Sequence, residues 1–215
     1  MEPSVDSETN GPVAGVVLAA GASTRMGRNK LLLQIGGESL VRRAARRALA
    51  SGLAPVIVVV GNEADRSRAE LSGLPCRAVE NPDFEKGIHL SLRAGIAAVP
   101  SDAPAAVVLL ADMPLVTDRM IATLVQRYRD SGAALVISEY GGVQAPPTLY
   151  DRRLFEELRA AEGEGCSKRV IERHRGEALS VAWPAAALTD VDRPEDFERI
   201  RQELSSEETR CAPTC

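Results

Sequence analysis

The chain has 215 residues, 45% of them hydrophobic and 26% charged, with a net charge of -4. That length suits one domain that buries roughly 70% of its unfolded-chain surface, and the mild acidity excludes a general polyanion binder, so any phosphate site must be a local gathering of cations. Aromatic residues make up only 3%, which removes the exposed rings that single-stranded nucleic acid stacks on and leaves Val, Leu, Ile and Ala to build the core.

Residues 1–12 are polar and are expected to form a flexible N-terminal segment; 13–204 form the folded domain and 205–215 a flexible tail. The N-terminus lacks the basic segment and apolar core of a signal peptide. The longest apolar runs, such as "AAVVLLA" at 105–111, are too short to span a bilayer. A cytoplasmic protein with no membrane partner is the expectation.

Within the domain, apolar strands alternate with amphipathic helices. Strands are predicted at 13–19, 55–60, 76–79, 106–111, 134–138 and 179–183, and helices at 39–51, 63–72, 87–98, 117–131, 151–161, 166–174 and 194–204. "VIVVV" at 56–60 and "AVVLL" at 106–110 are apolar throughout, as central strands covered on both faces require. In the first helix Leu40, Val41, Ala44, Ala45, Ala48 and Leu49 share one stripe, Arg42, Arg43, Arg46 and Arg47 the other, and Gly52 follows as a stop signal. The arginines read as a solvated face, or as a surface for an acidic partner. Repeated strand–helix units predict an α/β single domain, a doubly wound, Rossmann-like, mostly parallel sheet with helices on both faces. Ligands then collect at the carboxyl ends of its strands.

Two loops rich in chemistry leave that rim. The first is "LAAGASTRMGRNK", residues 18–30. It contains neither GxxxxGK[ST] nor GxGxxG, and the missing GxGxxG disfavours a hydride-transferring dinucleotide enzyme. Gly21 and Gly27 permit positive φ and close backbone approach, so the turn can aim its N–H groups inward as an anion nest. Arg25 offers a planar fork to phosphate oxygens, Lys30 a point charge, and Ser23 and Thr24 hydroxyl donors. The second loop is "ADMP", where Asp112 follows an apolar strand. A lone Asp there is often a cap or turn former, but Thr117 is the better helix cap, which leaves Asp112 free to hold a hard cation through oxygen.

A third acidic segment, "LTDVDRPEDFERI", runs from 188 to 200. Asp190 and Asp192 alternate, so in an extended segment only one faces a metal held by Asp112. Pro194, Glu195 and Asp196 read as a helix start. A cationic loop beside a carboxylate-held cation suits a polyphosphate with magnesium, which takes one or two carboxylates plus phosphate oxygens and waters. The four cysteines, Cys76, Cys166, Cys211 and Cys215, have no C-x-x-C spacing and no nearby histidine. A disulfide framework is not expected; the last two read as part of a tail, or as a redox or metal device. His89 and His174 stand in no recognisable catalytic setting and read as structural or exposed.

"LAAGASTRMGRNKLLL", "NPDFEKGIHLSLRAGI", "LLADMPLV" and "DVDRPEDF" together resemble the molybdenum cofactor nucleotidyltransferases, the cytidylyltransferase branch most closely, from about Val16 to Ile200. The resemblance implies a mainly parallel sheet with one reversed strand. It also implies transfer of a nucleoside monophosphate from a triphosphate to a phosphorylated acceptor, with release of pyrophosphate. Matched residue by residue, it assigns Leu18, Ala19, Ala20, Gly21, Arg25, Met26, Gly27 and Lys30 to the nucleotide, with Ser23 beside them, and Asn81, Gly87 and Ser91 to base and sugar. It assigns Mg²⁺ to Asp112 and Asp192, Asp192 matching better than Asp190, and gives Arg25, Lys30 and Asp112 the catalytic roles. The implied partners are CTP, a phosphorylated pterin acceptor (molybdopterin), and a downstream molybdoenzyme or its chaperone.

Enzymes of the group that use GTP tend to read "LAGG", so Ala20 resembles the CTP branch, although one methyl near a base shifts preference by only about 1–3 kcal/mol. Two segments depart from the pattern. "GHP" is matched by Ala145, Pro146 and Pro147, and "GDxGAR" by Gly163, Glu164, Gly165, Cys166, Ser167 and Lys168. These loops would meet the acceptor, so another triphosphate with a sugar phosphate or other cofactor precursor stays open, as does a nucleotide- or pterin-binding protein without turnover.

Overall fold

The computed structural model describes residues 11–23, 26–163 and 165–210, with side chains through Leu204. Its first strand, β1 (Ala14–Ala19), is buried along its whole length. Successive side chains of a strand point to opposite faces, so Val17 and Ala19 enter one core while Ala14, Val16 and Leu18 enter the other. The chain continues through the short antiparallel pair β2 (Gln34–Ile35) and β3 (Glu38–Ser39) into helix α1 (Leu40–Ala50). Then come β4 (Val56–Val60), α2 (Ala64–Glu70), β5 (Cys76–Glu80), α3 (Ile88–Ala97), β6 (Ala105–Leu110) and α4 (Asp118–Ser131). The last part runs β7 (Leu135–Tyr140), β8 (Val143–Asp151), α5 (Phe155–Ala160), α6 (Cys166–Arg173), β9 (Ala178–Trp183) and α7 (Pro194–Arg210).

The sheet has seven strands in the order β5-β4-β1-β6-β8-β7-β9. Every neighbouring pair is parallel except the two made by β8, which is antiparallel to β6 and to β7. Helices α1 and α4 pack Val41, Ala45, Ile121 and Leu124 on one face; α3, α5 and α6 pack Ile96, Leu158 and Val170 on the other. The predicted α/β class with two helical layers is what forms. Among the described residues no helix is long and apolar enough to cross a membrane.

β8 is the reversed strand that the family resemblance implies and that periodicity does not reveal. Pro146 and Pro147 lack N–H groups, so the pair reads as a loop. Here they interrupt the ladder: Ile137 pairs with Thr148 and Ser138 with Ala145, leaving both prolines unpaired with β7. Side chains serve their carbonyls instead. Ser138 donates to the Pro147 oxygen at 2.7 Å and Tyr140 to the Pro146 oxygen at 2.9 Å.

Other expectations meet their structure at the element ends. Thr117 caps α4 by accepting the Met120 N–H at 3.2 Å, and Gly52 follows α1 with φ +84°. Helix α7 runs past 204 to Arg210. The arginine face of α1 is not simply solvated. Arg43 is 5% exposed, and Arg42 donates to the carbonyls of Glu70 and Ser72, tying α1 to the end of α2. Cys76 and Cys166 are free thiols, Cys166 buried, while Cys211 and Cys215 lie outside the described residues.

Gly95 sets the distance between α3 and the sheet. A Cβ there would collide with Val16 and stand 3.0 Å from Val59. Over-packing of a filled core costs about 1–3 kcal/mol, so Gly95→Ala is expected to lower unfolding free energy by that amount in a urea titration, without change in slope.

Candidate active site

The sheet order reverses at β1, which has β4 on one side and β6 on the other, and that switch point opens a crevice outside the carboxyl ends of β1 and β6. The two ends are level: Leu18 is in register with Leu110, and the Ala111 N–H donates to the Leu18 carbonyl at 3.1 Å. The loop after β1 and the Asp112 loop therefore start side by side. A third segment joins them, since the Val191 N–H donates to the Asp112 carbonyl at 3.0 Å.

These three segments meet at one nitrogen. Lys30 Nζ lies 2.6 Å from Asp112 Oδ2 and 2.8 Å from Asp192 Oδ1. Burial works against the ammonium, yet the charge of Asp112 and the hydrogen bonds to both aspartates outweigh it, and the Lys30 pKa is raised. Asp190 is beside the same group. Its side chain still meets solvent, but partial desolvation first, then repulsion from Asp112 and Asp192, push it up to about 6. Two carboxylates thus share one lysine, with Asp190 in their electrostatic field. Among the described residues no three acidic, histidine or cysteine side chains converge as a ready-made metal cage. Two aspartates with no nitrogen or sulfur donor are instead the set expected of magnesium, which draws its remaining ligands from phosphate and water.

Two small packing systems hold the arrangement. Met26, Leu33, Ile35 and Leu40 from the first loop and its sequel pack with Val191, Phe197, Ile200 and Leu204 in a core separate from the sheet. Polar contacts close the loop: Ser23 Oγ accepts the Lys30 N–H at 3.1 Å, Asn29 donates to the Asn62 carbonyl at 3.0 Å, and Asn62 donates to Ala22 at 3.3 Å. Asp196 accepts from the Arg193 N–H at 3.0 Å and the Asp192 N–H at 3.3 Å, so it caps α7 and holds the backbone of Asp192.

Beside Lys30 is a cleft of about 530 Å³. Of the residues expected there, Leu18, Ala20, Gly21, Lys30, Gly87, Ser91 and Asp112 line it. A Cβ on Gly21 would meet nothing within 4 Å, so the backbone is open to a close ligand. Other expectations need correcting. The positive φ angles in the turn belong to Ser23 (+53°) and Gly27 (+64°), not to Gly21. The Met26 side chain is buried in the small core and that of Ala19 in the sheet core, so neither side chain faces the cleft. Asn81 is buried behind it, donating to Ser91 Oγ at 3.0 Å, and so supports a lining residue. Asp192 reaches the site through Lys30 and is not a cleft wall. Thr24 and Arg25 lie outside the described residues. Phe84 and Ile88 also line the cleft and were not foreseen; they follow the matched Asn81 in sequence, where apolar residues carry no chemical signature. His174 stands away from the cleft, bridged to Glu157 at 2.7 Å.

A family model described as MobA-like NTP transferase domain matches residues 15–178. The purine catabolism protein PucB of Bacillus subtilis is 31% identical over 89% of this chain and 97% of its own length. A probable molybdenum cofactor guanylyltransferase of Natronomonas pharaonis is 32% identical over 91% of this chain and 100% of its own. Some relatives are longer: the match to the bifunctional IPC transferase and DIPP synthase of Rubrobacter xylanophilus spans 54% of that protein. The crystal structure of Rv0371c from Mycobacterium tuberculosis superposes with a TM-score of 0.80 at 25% identity, over 89% of this chain and 98% of that one. A manganese complex of the same protein superposes at 0.77, with 23% identity over 89% and 99% of the two chains.

The raised Asp190 pKa has a sign that can be tested. A carboxyl that titrates near 6 in the fold and near 3.8 when unfolded leaves stability whole below about pH 4 and erodes it as pH climbs through 6. Solvent screening reduces the effect of so open a group to about 1 kcal/mol. Asp190→Asn is therefore expected to raise Tm by about 2–4 °C at pH 7.5 and to change it little at pH 4, in parallel thermal melts.

Proposed function

The chain belongs to the MobA-like NTP transferase family, a nucleotidyltransferase family, and from that premise we propose that it transfers CMP from CTP to the phosphate of molybdopterin, releasing pyrophosphate. The observation that carries the reading is the meeting of Lys30, Asp112 and Asp192 at the edge of a cleft walled by Gly21 and Ser91.

The chemistry asks little covalent work of the protein. A phosphate oxygen of the acceptor attacks the α-phosphorus in line, a P–O bond forms, and the bond to the pyrophosphate oxygen breaks, so positioning and charge stabilisation dominate. The acceptor phosphate is largely ionised near neutral pH, with a second pKa of about 6, so no general base is required. Lys30 is held by its two aspartates where negative charge builds on the leaving pyrophosphate, and Arg25 has the same role in this reading. Gly21 lets the backbone approach the phosphates. Asp112 and Asp192 would hold Mg²⁺, which supplies charge neutralisation on phosphate oxygens when bound. A cytoplasmic location, and hand-over of product to a molybdoenzyme or its chaperone, belong to the same reading.

The choice of CTP rests on Ala20. It is 4% exposed, lines the cleft, and stands tight against Gly61, where an added Cβ would come within 2.8 Å of it. One methyl at this position is a modest discriminator, about 1–3 kcal/mol, and it is the feature by which the chain resembles the CTP branch. GTP is the second reading, favoured by the relative named as a guanylyltransferase.

Pyrophosphate release with CTP, GTP, ATP and UTP against a panel of phosphorylated acceptors, with and without magnesium, separates these readings. CTP with the pterin acceptor and magnesium should be fastest. Release with GTP alone would overturn the base assignment, and nucleotide binding without release from any pair would favour a non-catalytic protein.

Lys30→Ala and Asp112→Ala are each expected to cut turnover by about 10²–10³, the cost of losing one charge-stabilising group, while leaving most of the folding free energy. Wild-type pyrophosphate release from either variant would remove that residue from the mechanism.

A further inference from the structure

The arginine-rich side of α1 carries a polar site away from the cleft. Arg43 and Arg47 stand one turn apart on that helix and share a face. Both line a small pit of about 10 Å³ between α1 and α4, and Ala111 and Met113, on either side of Asp112, line it as well. The other two arginines of the helix are engaged: Arg42 donates to the carbonyls of Glu70 and Ser72, and Arg46 to both oxygens of Glu38 at 2.8 and 2.9 Å. Arg43 is almost wholly buried, with its Nε 3.9 Å from Glu38 Oε2. Arg47 Nε is buried with no hydrogen-bond partner among the described residues. Burial first, then the charges of Arg43 and Arg46, hold the Arg47 pKa below its usual value, against the weaker pull of Asp118 and Glu38. A charged donor buried without an acceptor is costly and calls for an explanation. A water would meet the hydrogen bond but not the like charges pressed on Arg47; an anion meets both.

We propose that this pit receives one carboxylate from an acidic segment of a partner protein, docked across α1 and the loop that carries Asp112. The size of the pit sets the ligand class. Its volume of about 10 Å³ is close to what a single water needs, so one carboxylate oxygen can enter and a tetrahedral phosphate cannot. The planar guanidinium fork suits a planar carboxylate, whose second oxygen stays at the mouth of the pit. Leu40, Ala44 and Pro114 add hydrocarbon to the lining. That fits the methylene stem joining a glutamate or aspartate carboxylate to its chain, and gives a bare inorganic anion nothing to pack on. A partner held here rests against Ala111 and Met113, beside the proposed transfer site. It leaves the cleft open, since neither Arg43 nor Arg47 lines it. The inference does not depend on which nucleotide or acceptor the chain uses.

The test is fluorescence anisotropy of labelled, end-blocked tetrapeptides of glutamate, glutamine or phosphoserine, titrated with the full chain at low ionic strength. The wild type should bind the glutamate peptide at least about tenfold more tightly than either of the others, the scale of one hydrogen bond to a charged group. A diffuse positive surface would instead favour phosphoserine, which carries about -1.5 to -2 charges per residue. Arg47→Met should weaken binding of the glutamate peptide at least about tenfold. Arg129→Met removes an exposed arginine outside the pit and should leave that binding within about a factor of two. Thermal melts verify that both variants fold, and if Arg47→Met does not, the wild-type order of the three peptides decides alone. No binding of the glutamate peptide, equal or tighter binding of the phosphoserine peptide, or equal losses in the two variants overturns the inference.

Discussion

One ammonium group between two carboxylates organises the functional end of this molecule. Lys30, Asp112 and Asp192 come from three distant stretches of chain, and all three are drawn to one point where Lys30 Nζ is within 2.8 Å of both acids. Partly desolvated, such a contact is stronger than a surface ion pair, and each partner depends on the other for compensation. With Asp190 close by, the cluster stays short of positive charge. Under the proposed reading, that imbalance is what a bound hard cation would offset.

The geometry is imposed from below and from the side. From below, the parallel register of β1 and β6 starts two loops at the same height, on a strand whose six residues are all buried. From the side, the separate core of Met26, Ile35, Val191 and Phe197 clamps the first loop against the segment that carries Asp192. Hydrocarbon packing therefore holds Lys30 within reach of Asp192, and helps keep Asp192 near Asp112 against the repulsion of like charges. Val191 is fully buried between two aspartates, which shows the division of labour at single-residue scale.

The reversed strand shapes the surface beside the cleft. Pro146 and Pro147 keep the sheet from closing between β6 and β8, and the gap becomes a second opening. Where relatives of the cytidylyltransferase branch carry a glycine, histidine and proline, this chain has Ala145, Pro146 and Pro147. Val143 stands exposed at the mouth of that opening.

Period and punctuation in the sequence determined the alternating strands and helices, the two-sided core and the caps at Thr117 and Gly52. These are local matters, decided by side-chain spacing and turn chemistry within a few residues. The motifs also marked Lys30, Asp112 and Asp192 as chemically loaded, and four quoted segments sufficed to identify the family. Tertiary structure decided what local pattern cannot encode. Two prolines hid β8, because a strand that forgoes ladder bonds looks like a loop until its neighbours supply Ser138 and Tyr140 to satisfy it. The roles of Met26, Ala19 and Asn81 depended on which way a side chain points, and contacts across 162 positions, such as that of Lys30 with Asp192, follow from packing between segments whose separation no sequence window spans.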